Sequence, residues 1–329
     1  MENLLPFEKI NREILIKKES ETNPLNGCNP YERSVKTLIE YGIVNINKPA
    51  GPTSHQVSDY VKKILELEKA GHSGTLDPMV TGCLPTALDK ATRVVEVLLL
   101  SGKEYIGIMH IHKDIPDEKI HETLSKFRGK ITQLPPLRSA VKRRERQREV
   151  YYLEILEIDQ RDVLFKVGSE AGFYVRKLAH DFGKELGTGA HLSQLVRTKV
   201  GYFSDKNWHS LHDLKDAYEF YKNGDESHIR NVVLPFETAV EHLPKVWIMD
   251  SAVDPICHGA TLANPGISKI HSLISKNNKV AIMTLKEELV GIGTSLLSSE
   301  EIISQDKNFA IKVDKIFMQL GTYPRYNKI

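Results

Sequence analysis

Cysteine is scarce: Cys28, Cys83 and Cys257 stand far apart in 329 residues, with no C-x-x-C pair. That argues against a disulfide framework and against a zinc site built from this chain alone, and it fits a reducing, intracellular compartment. No apolar run approaches membrane length, because the longest, near Val94 to Leu100, is interrupted by Glu96. The N-terminus, broken by Pro6 and several charges, has neither the apolar core nor the cleavage pattern of a signal peptide. A large charge excess is missing too: the formal net charge is +2 and the pI about 8.2, so bulk charge nominates no nucleic acid and local patches must carry any such claim. None of the 13 histidines falls in an H-E-x-x-H or similar ligand spacing, so no metal is expected. Internal repeats and low-complexity tracts are also lacking.

What is present is globular. With 40% hydrophobic and 27% charged residues, the chain can bury a sizeable core. Its length suits roughly two domains of about 150 residues. Residues 1 to about 34 are polar and turn-rich and read as an extended arm or a tail. Gly42 to Pro49 alternates as a strand and runs into the turn Ala50-Gly51-Pro52. A helix capped by Thr53 or Ser54 follows, with Val57, Tyr60, Val61 and Ile64 on one face and Gly71 as a stop. Gly71 to Gly82 is then a structured loop, a usual place for chemistry.

A strand at Tyr105 to His112 precedes a helix carrying Ile120, Leu124 and Phe127, closed by Gly129. Further strands are expected at Tyr151 to Ile158 and Asp162 to Val167. Val175, Leu178, Ala179, Phe182 and Leu186 define one helix face and leave Tyr174 and Arg176 off the apolar stripe. Another helix carries Leu211, Leu214, Tyr218 and Tyr221. A domain change is placed near Glu241 to Lys245, giving an arm (1–34), a catalytic domain (35–244) and a C-terminal domain (245–329). In that last part the runs at 246–249, 280–285, 289–292 and 309–313 read as short strands of a small β-barrel or sandwich.

Asp77 before Pro78, taken alone, reads as a turn aspartate, and His72 alone is equally bland. The whole string Gly71-His72-Ser73-Gly74-Thr75-Leu76-Asp77-Pro78, followed by Thr81-Gly82-Cys83-Leu84, resembles the active-site motif of the TruB-type pseudouridine synthases. Gly102-Lys103-Glu104-Tyr105 resembles the family segment whose tyrosine stacks on the target uracil. By itself Tyr105 is also a plain strand tyrosine. Ala171 to Leu178, with Gly187 to Leu192 and Gln194 to Arg197, resembles the segment supplying the arginine paired with the nucleophilic aspartate. Two departures stand out: Val196, where many relatives carry a second arginine, and Phe173, in place of a small residue.

Leu134 to Arg144, Tyr151 to Glu154 and the arm residues Glu21 to Pro24 look like the archaeal homologues of dyskerin, the catalytic subunits of H/ACA ribonucleoproteins. Trp247-Ile248, His258-Gly259-Ala260, Asn264 to Ile267 and Ala281 to Thr284 are similar to that branch's PUA domain, and the resemblance covers nearly the whole chain. It implies an α+β catalytic domain with a mixed, largely antiparallel sheet, plus a small β-barrel-like PUA domain that takes in part of the arm.

The resemblance further implies isomerisation of uridine to pseudouridine without a cofactor, with Asp77 as nucleophile at ribose C1′ or at the pyrimidine ring. Arg176 would keep that carboxylate charged and oriented. Tyr105 would offer a stacking face, Tyr174 would handle the C5 proton, and His72 would hold the RNA flipped out. Leu195 would pack beside the pocket, though a core leucine fits equally.

The basic run Lys142, Arg143, Arg144, Arg146 and Arg148 reads either as a solvated face or as phosphate neutralisation, and a uridine-modifying role favours the second. Lys269, Lys276 and Lys279 are further candidates. Implied partners are a guide H/ACA RNA, substrate rRNA or tRNA, small Nop-type and Gar-type proteins, and a kink-turn-binding protein reached through RNA. The competing readings are a stand-alone synthase acting on the tRNA T-loop and a non-catalytic RNA-binding scaffold.

Overall fold

The first strand after the arm, Gly42–Lys48, forms as the alternation predicts, and the chain then folds into elements that cluster in two units. In this computed structural model, residues 3–134 and 144–325 are described. One unit holds Val44–Ala87 and Val95–Val232 with the stretch up to Lys9; the other holds Ile10–Ile43, Leu88–Val94 and the chain from Val233. Lys142 and Arg143 lie outside the described residues.

The strands are β1 (Ile14–Ile16), β2 (Gly42–Lys48), β3 (Ala70–His72), β4 (Thr81–Leu88), β5 (Lys103–Ile111), β6 (Gly129–Gln133), β7 (Arg146–Asp159), β8 (Asp162–Ser169), β9 (Ala190–Val200) and β10 (Phe203–Ser204). In the first unit they run in the order β2-β4-β9-β5-β8-β7-β6, with β3 attached to β4 and β10 to β9. The pairs β5/β8, β5/β9, β6/β7 and β7/β8 are antiparallel, whereas β4 and β9 are parallel. This is the mixed, largely antiparallel sheet that the sequence implied.

Gly82 permits the parallel pairing. It sits at φ +102° opposite Arg197, and a Cβ there would collide with the Arg197 backbone.

The helices of this unit follow their apolar spacing. Helix α1 (Ser54–Ile64) starts in a complete capping box between Thr53 and Gln56 and buries Val57 and Val61. It ends seven residues before Gly71, the expected stop. Glu66 takes φ +55°, and the N–H of Leu67 bonds back to the Lys62 carbonyl at 3.0 Å, closing the helix without glycine. Helix α2 (Asp117–Ser125) likewise stops short of Phe127, which still packs edge-on against Phe182 with ring centroids 6.3 Å apart.

Helix α3 (Val175–Leu186) buries the five apolar residues read from its periodicity and ends on Gly187 at φ +74°. Those side chains meet Met109, Val163, Phe165 and Val167 of the sheet in one core.

In the second unit, β11 (Val233–Pro235) precedes β12 (Lys245–Ile248), β13 (Leu262–Ala263), β14 (Ile267–His271), β15 (Lys279–Thr284), β16 (Leu289–Ser295) and β17 (Phe309–Ile316). Their sheet runs β1-β14-β12-β15-β16-β17-β13, with only β12/β15 parallel. Strand β14 and the helices α4 (Asp250–Cys257) and α5 (Ser299–Ser304) were not expected from sequence. The arm contributes β1 to the edge of this sheet, pairing Ile14 with His271.

His271 carries a pH dependence. Its Nδ1 accepts the Lys245 backbone N–H at 3.0 Å, which requires the unprotonated ring. Burial, then the charges of Arg12, Lys245 and Lys269, push its pKa down to about 4 from 6.5. Between those two values the unfolded chain binds the proton and the folded one does not, so stability falls as pH drops through that window. Thermal melts should show this loss in the wild type and a smaller one in His271→Asn, whose side-chain oxygen can accept the same N–H without titrating. Equal acid-side losses in both proteins would rule His271 out as the cause.

Candidate active site

The loop bearing Asp77 is held from several sides. Lys48, fully buried at the end of β2, donates from Nζ to the carbonyls of Pro49, Pro78 and Val80 at 2.8, 2.9 and 2.9 Å. Ser54 Oγ, in the first turn of α1, accepts the Leu76 N–H at 2.8 Å and lies 3.1 Å from the Leu76 carbonyl, to which it donates. The Gly51 N–H reaches the Pro78 carbonyl at 2.9 Å. Arg197, only 2% exposed, donates from Nε to the Cys83 carbonyl at 2.8 Å and from Nη2 to the Gly74 carbonyl at 3.1 Å. The backbone around Asp77 is therefore fixed by charged and hydroxyl donors while its side chain stays half exposed.

Lys48→Met is expected to take this donor from the Pro49 and Val80 carbonyls, while Pro78 keeps the Gly51 N–H, and to cost roughly 2–4 kcal/mol. A drop in the urea midpoint at constant m-value would show this. A midpoint within error of wild type would mean that other donors serve those carbonyls.

Asp77 Oδ2 meets Arg176 Nη2 at 2.9 Å, both side chains about half exposed. Arg176 lies in the first turn of α3, and Tyr174 is the residue just before that helix. Buried Gln133 fixes this start: its Oε1 accepts the Tyr174 N–H at 3.0 Å and its Nε2 donates to the Tyr174 carbonyl at 3.1 Å.

Asp77, Tyr105, Tyr174, Arg176 and Leu195 line one cleft of about 380 Å³, together with Phe173, Lys103 and Arg197. Four segments of the chain, at Asp77, at Lys103 and Tyr105, at 173–176 and at 195–197, thus deliver their residues to one place. His72 is the exception, absent from that lining. It sits on β3 with its ring 6.4 Å from His55, and burial, Arg197 and His55 hold its pKa below the usual histidine value.

The sequence singled out neither Lys103 nor Arg197. Lys103 is buried and donates to the carbonyls of Leu98, Leu99 and Ser101 at 2.8, 2.8 and 2.7 Å. Burial, then Arg197, pushes its pKa down to about 7. The available signal was a charge set among buried strand positions: Lys103 opens β5, whose odd-numbered residues face inward more than its even ones, and Arg197 sits late in β9.

Of the basic run, Arg144 is exposed, while Arg146 and Arg148 share a face of β7 with buried Val150 and are half buried. Arg148 stands beside Gly172, which lines the cleft. The three lysines of the second unit are already engaged. Lys276 pairs with Glu301 at 2.7 Å, Lys279 with Asp314 at 2.8 Å, and Lys269 lies over the Trp247 ring at 4.8 Å.

Family models cover this architecture end to end. The TruB family pseudouridylate synthase N-terminal domain matches residues 62–175 and the tRNA pseudouridylate synthase B C-terminal domain residues 176–241. A DKCLD domain matches residues 3–58 and a PUA domain residues 244–317. Fold and site thus define a pseudouridine synthase with a PUA domain.

The chain is 54% identical over 325 residues to a probable tRNA pseudouridine synthase B of Pyrococcus horikoshii, covering 98% of this chain and 97% of that protein. The corresponding protein of Methanopyrus kandleri is 51% identical, with 98% and 95% covered. Among solved structures, a chain of a Cbf5-Nop10-Gar1 complex superposes with TM-score 0.93 at 54% identity over 98% of this chain and 99% of that one. A chain of an H/ACA RNP bound to a substrate RNA containing 2′-deoxyuridine gives 0.91 at 51% identity, over the same shares. The chain belongs to the TruB family of pseudouridine synthases. Among its described residues, no helix is long and apolar enough to cross a membrane.

Proposed function

We propose that this synthase works as the catalytic subunit of a guide-RNA-dependent H/ACA ribonucleoprotein on rRNA, and also modifies the tRNA T-loop without a guide. The observation that carries the catalytic half is the Asp77–Arg176 pair at 2.9 Å in a cleft lined by Tyr105 and Tyr174. Likeness over nearly the full length to chains from a Cbf5-Nop10-Gar1 complex and from an RNA-bound H/ACA RNP supports the assembly. Its partners are then Nop10-type and Gar1-type proteins, a guide RNA, and a kink-turn-binding protein held through that RNA. Residues 35–244 form the catalytic domain, 245–329 the PUA domain, and 1–34 an arm that pairs with the latter. Three free cysteines suit the reducing cytoplasm as the place of work.

In this reading the uridine leaves its stack, and Tyr105 receives the base face. The Asp77 carboxylate attacks ribose C1′ or the pyrimidine ring, the N1–C1′ bond breaks, the base turns, C5 bonds to C1′, and the bond to Asp77 breaks again to release the carboxylate. The C5 proton departs with Tyr174 beside it, and N1 gains a proton, so product and substrate are isomers and no oxidant or energy carrier is needed. Arg176 orients the carboxylate through their ion pair at 2.9 Å. Leu195 closes the apolar side of the cleft, and Arg144, Arg146 and Arg148, with Lys142 and Arg143, neutralise phosphates. His72, five residues before Asp77, helps hold the RNA in its flipped state.

The test is pseudouridine formation in a tRNA transcript and in a guide-paired rRNA fragment, with and without the partner proteins. Product in the paired fragment only with guide and partners supports the assembly. Product in tRNA alone returns the chain to a stand-alone synthase. Product in neither RNA, with tight binding kept, makes it a scaffold.

A further inference from the structure

Behind the cleft, three strands meet at one carboxylate. Glu104 is only 5% exposed; its Oε2 accepts the Tyr152 hydroxyl at 2.6 Å and its Oε1 the Thr198 hydroxyl at 2.8 Å. Lys103 and Tyr105, its neighbours on β5, line the cleft, so strand alternation turns Glu104 to the opposite face. Tyr152 of β7 reaches it across β8, passing over Gly168, where a Cβ would collide with the tyrosine ring. Burying a carboxylate is costly, and hydroxyl donors from two other strands offset that cost.

Strand β9 is irregular at this point. Glu104 stands opposite Lys199 and Tyr105 opposite Arg197, so Thr198 is an extra residue, a β-bulge. A second bulge follows, with Ile108 opposite Gln194 and Met109 opposite Leu192, which leaves Ser193 extra. Between the two, Arg197 faces Tyr105 and Leu195 faces Gly107. Directly opposite residues of an antiparallel pair share a face, and here that face is the cleft, which Tyr105, Leu195 and Arg197 all line. Without the extra residue at 198, a plain ladder would set Thr198 opposite Tyr105 and turn Arg197 to the other side of the sheet. Arg197 would then lose the Cys83 and Gly74 carbonyls through which it holds the Asp77 loop.

Two bonds hold the bulge. The Asp205 N–H donates to the Thr198 carbonyl at 2.9 Å, and the Thr198 hydroxyl donates to Glu104. We propose that Glu104 is a positioning residue: fixed by Tyr152, it pins through Thr198 the bulge that brings Arg197 and Leu195 to the face of Tyr105. This rests on the reading of the cleft given above, in which Tyr105 receives the base and the Asp77 loop supplies the nucleophile. Glu104, Tyr152 and Thr198 act through those groups from behind the sheet. A reacting group misplaced by about an ångström loses on the order of 10²-fold in rate, whereas RNA affinity rests on phosphate contacts made elsewhere.

Thr198→Val keeps the shape of the side chain and removes the hydroxyl, while Thr198→Ser keeps the hydroxyl and loses the methyl. Both are assayed in the full-length protein on whichever RNA the wild type modifies, the tRNA transcript or the guide-paired fragment with its partners. Single-turnover rates are taken with protein in saturating excess, and Kd is measured separately. Thr198→Val should be slower by ~10-fold or more with Kd within about twofold, and Thr198→Ser should stay within about threefold of wild type. Tyr152→Phe, which leaves the Glu104 carboxylate free to turn, should show the same loss of rate at constant Kd, and it serves if Thr198→Val does not fold.

A wild-type rate in either folded variant overturns the proposal, as does a loss confined to Kd. A Thr198→Ser variant as slow as Thr198→Val overturns it too, because packing rather than the hydroxyl would then be what matters. Tyr105→Leu is run alongside. Normal turnover there would bring down the stacking reading instead, whereas slow turnover there beside a normal Thr198→Val would bring down this proposal alone.

Discussion

Asp77→Asn should abolish pseudouridine formation, by on the order of 10⁴-fold or more, while RNA affinity stays within about twofold. The amide matches the carboxylate in shape, and the donors that fix its loop, Lys48, Ser54 and Arg197, act on neighbouring backbone atoms. Only the nucleophile's charge is lost. Single-turnover assays on tRNA, with binding measured separately, read the two quantities apart. Normal turnover in the variant would remove Asp77 from the nucleophile's role.

Arg176→Ala is expected to lower kcat by roughly 10²–10³, the scale for removing a preorganised charged partner from a reacting group. Arg176→Lys should recover only part, because an ammonium cannot reproduce the planar fork that faces Oδ2 of Asp77. The half-exposed position allows a competing role in which Arg176 binds an RNA phosphate. The two roles separate cleanly. A positioning arginine leaves Kd and its salt dependence unchanged, whereas a phosphate contact raises Kd and reduces the salt slope by about one. A loss confined to Kd would assign Arg176 to RNA binding.

Much of this site was legible in sequence because its chemistry lies in short strings. Asp77 sits in an unbroken motif, and Tyr174 and Arg176 stood out by falling off the apolar stripe of a strongly periodic helix. Lys48, Lys103 and Arg197 did not stand out. A lysine or arginine in a strand usually marks the solvent side, and only burial with carbonyl acceptors at each head group turns these three into anchors. Helix ends were displaced for a similar reason: Glu66 takes the left-handed turn that glycine was expected to supply.

By itself, then, the sequence determined the family, many of the alternating and helical segments, and the candidates for the reacting groups, since these depend on local order and on side-chain type. Tertiary structure decided which distant groups meet. It put Asp77 and Arg176 2.9 Å apart from opposite ends of nearly a hundred residues, kept His72 out of the cleft lining, half-buried Arg146 and Arg148, and set Arg197 across from Tyr105. Strand register and burial fix those outcomes, and both arise from pairing between segments whose separation along the chain carries no local signal.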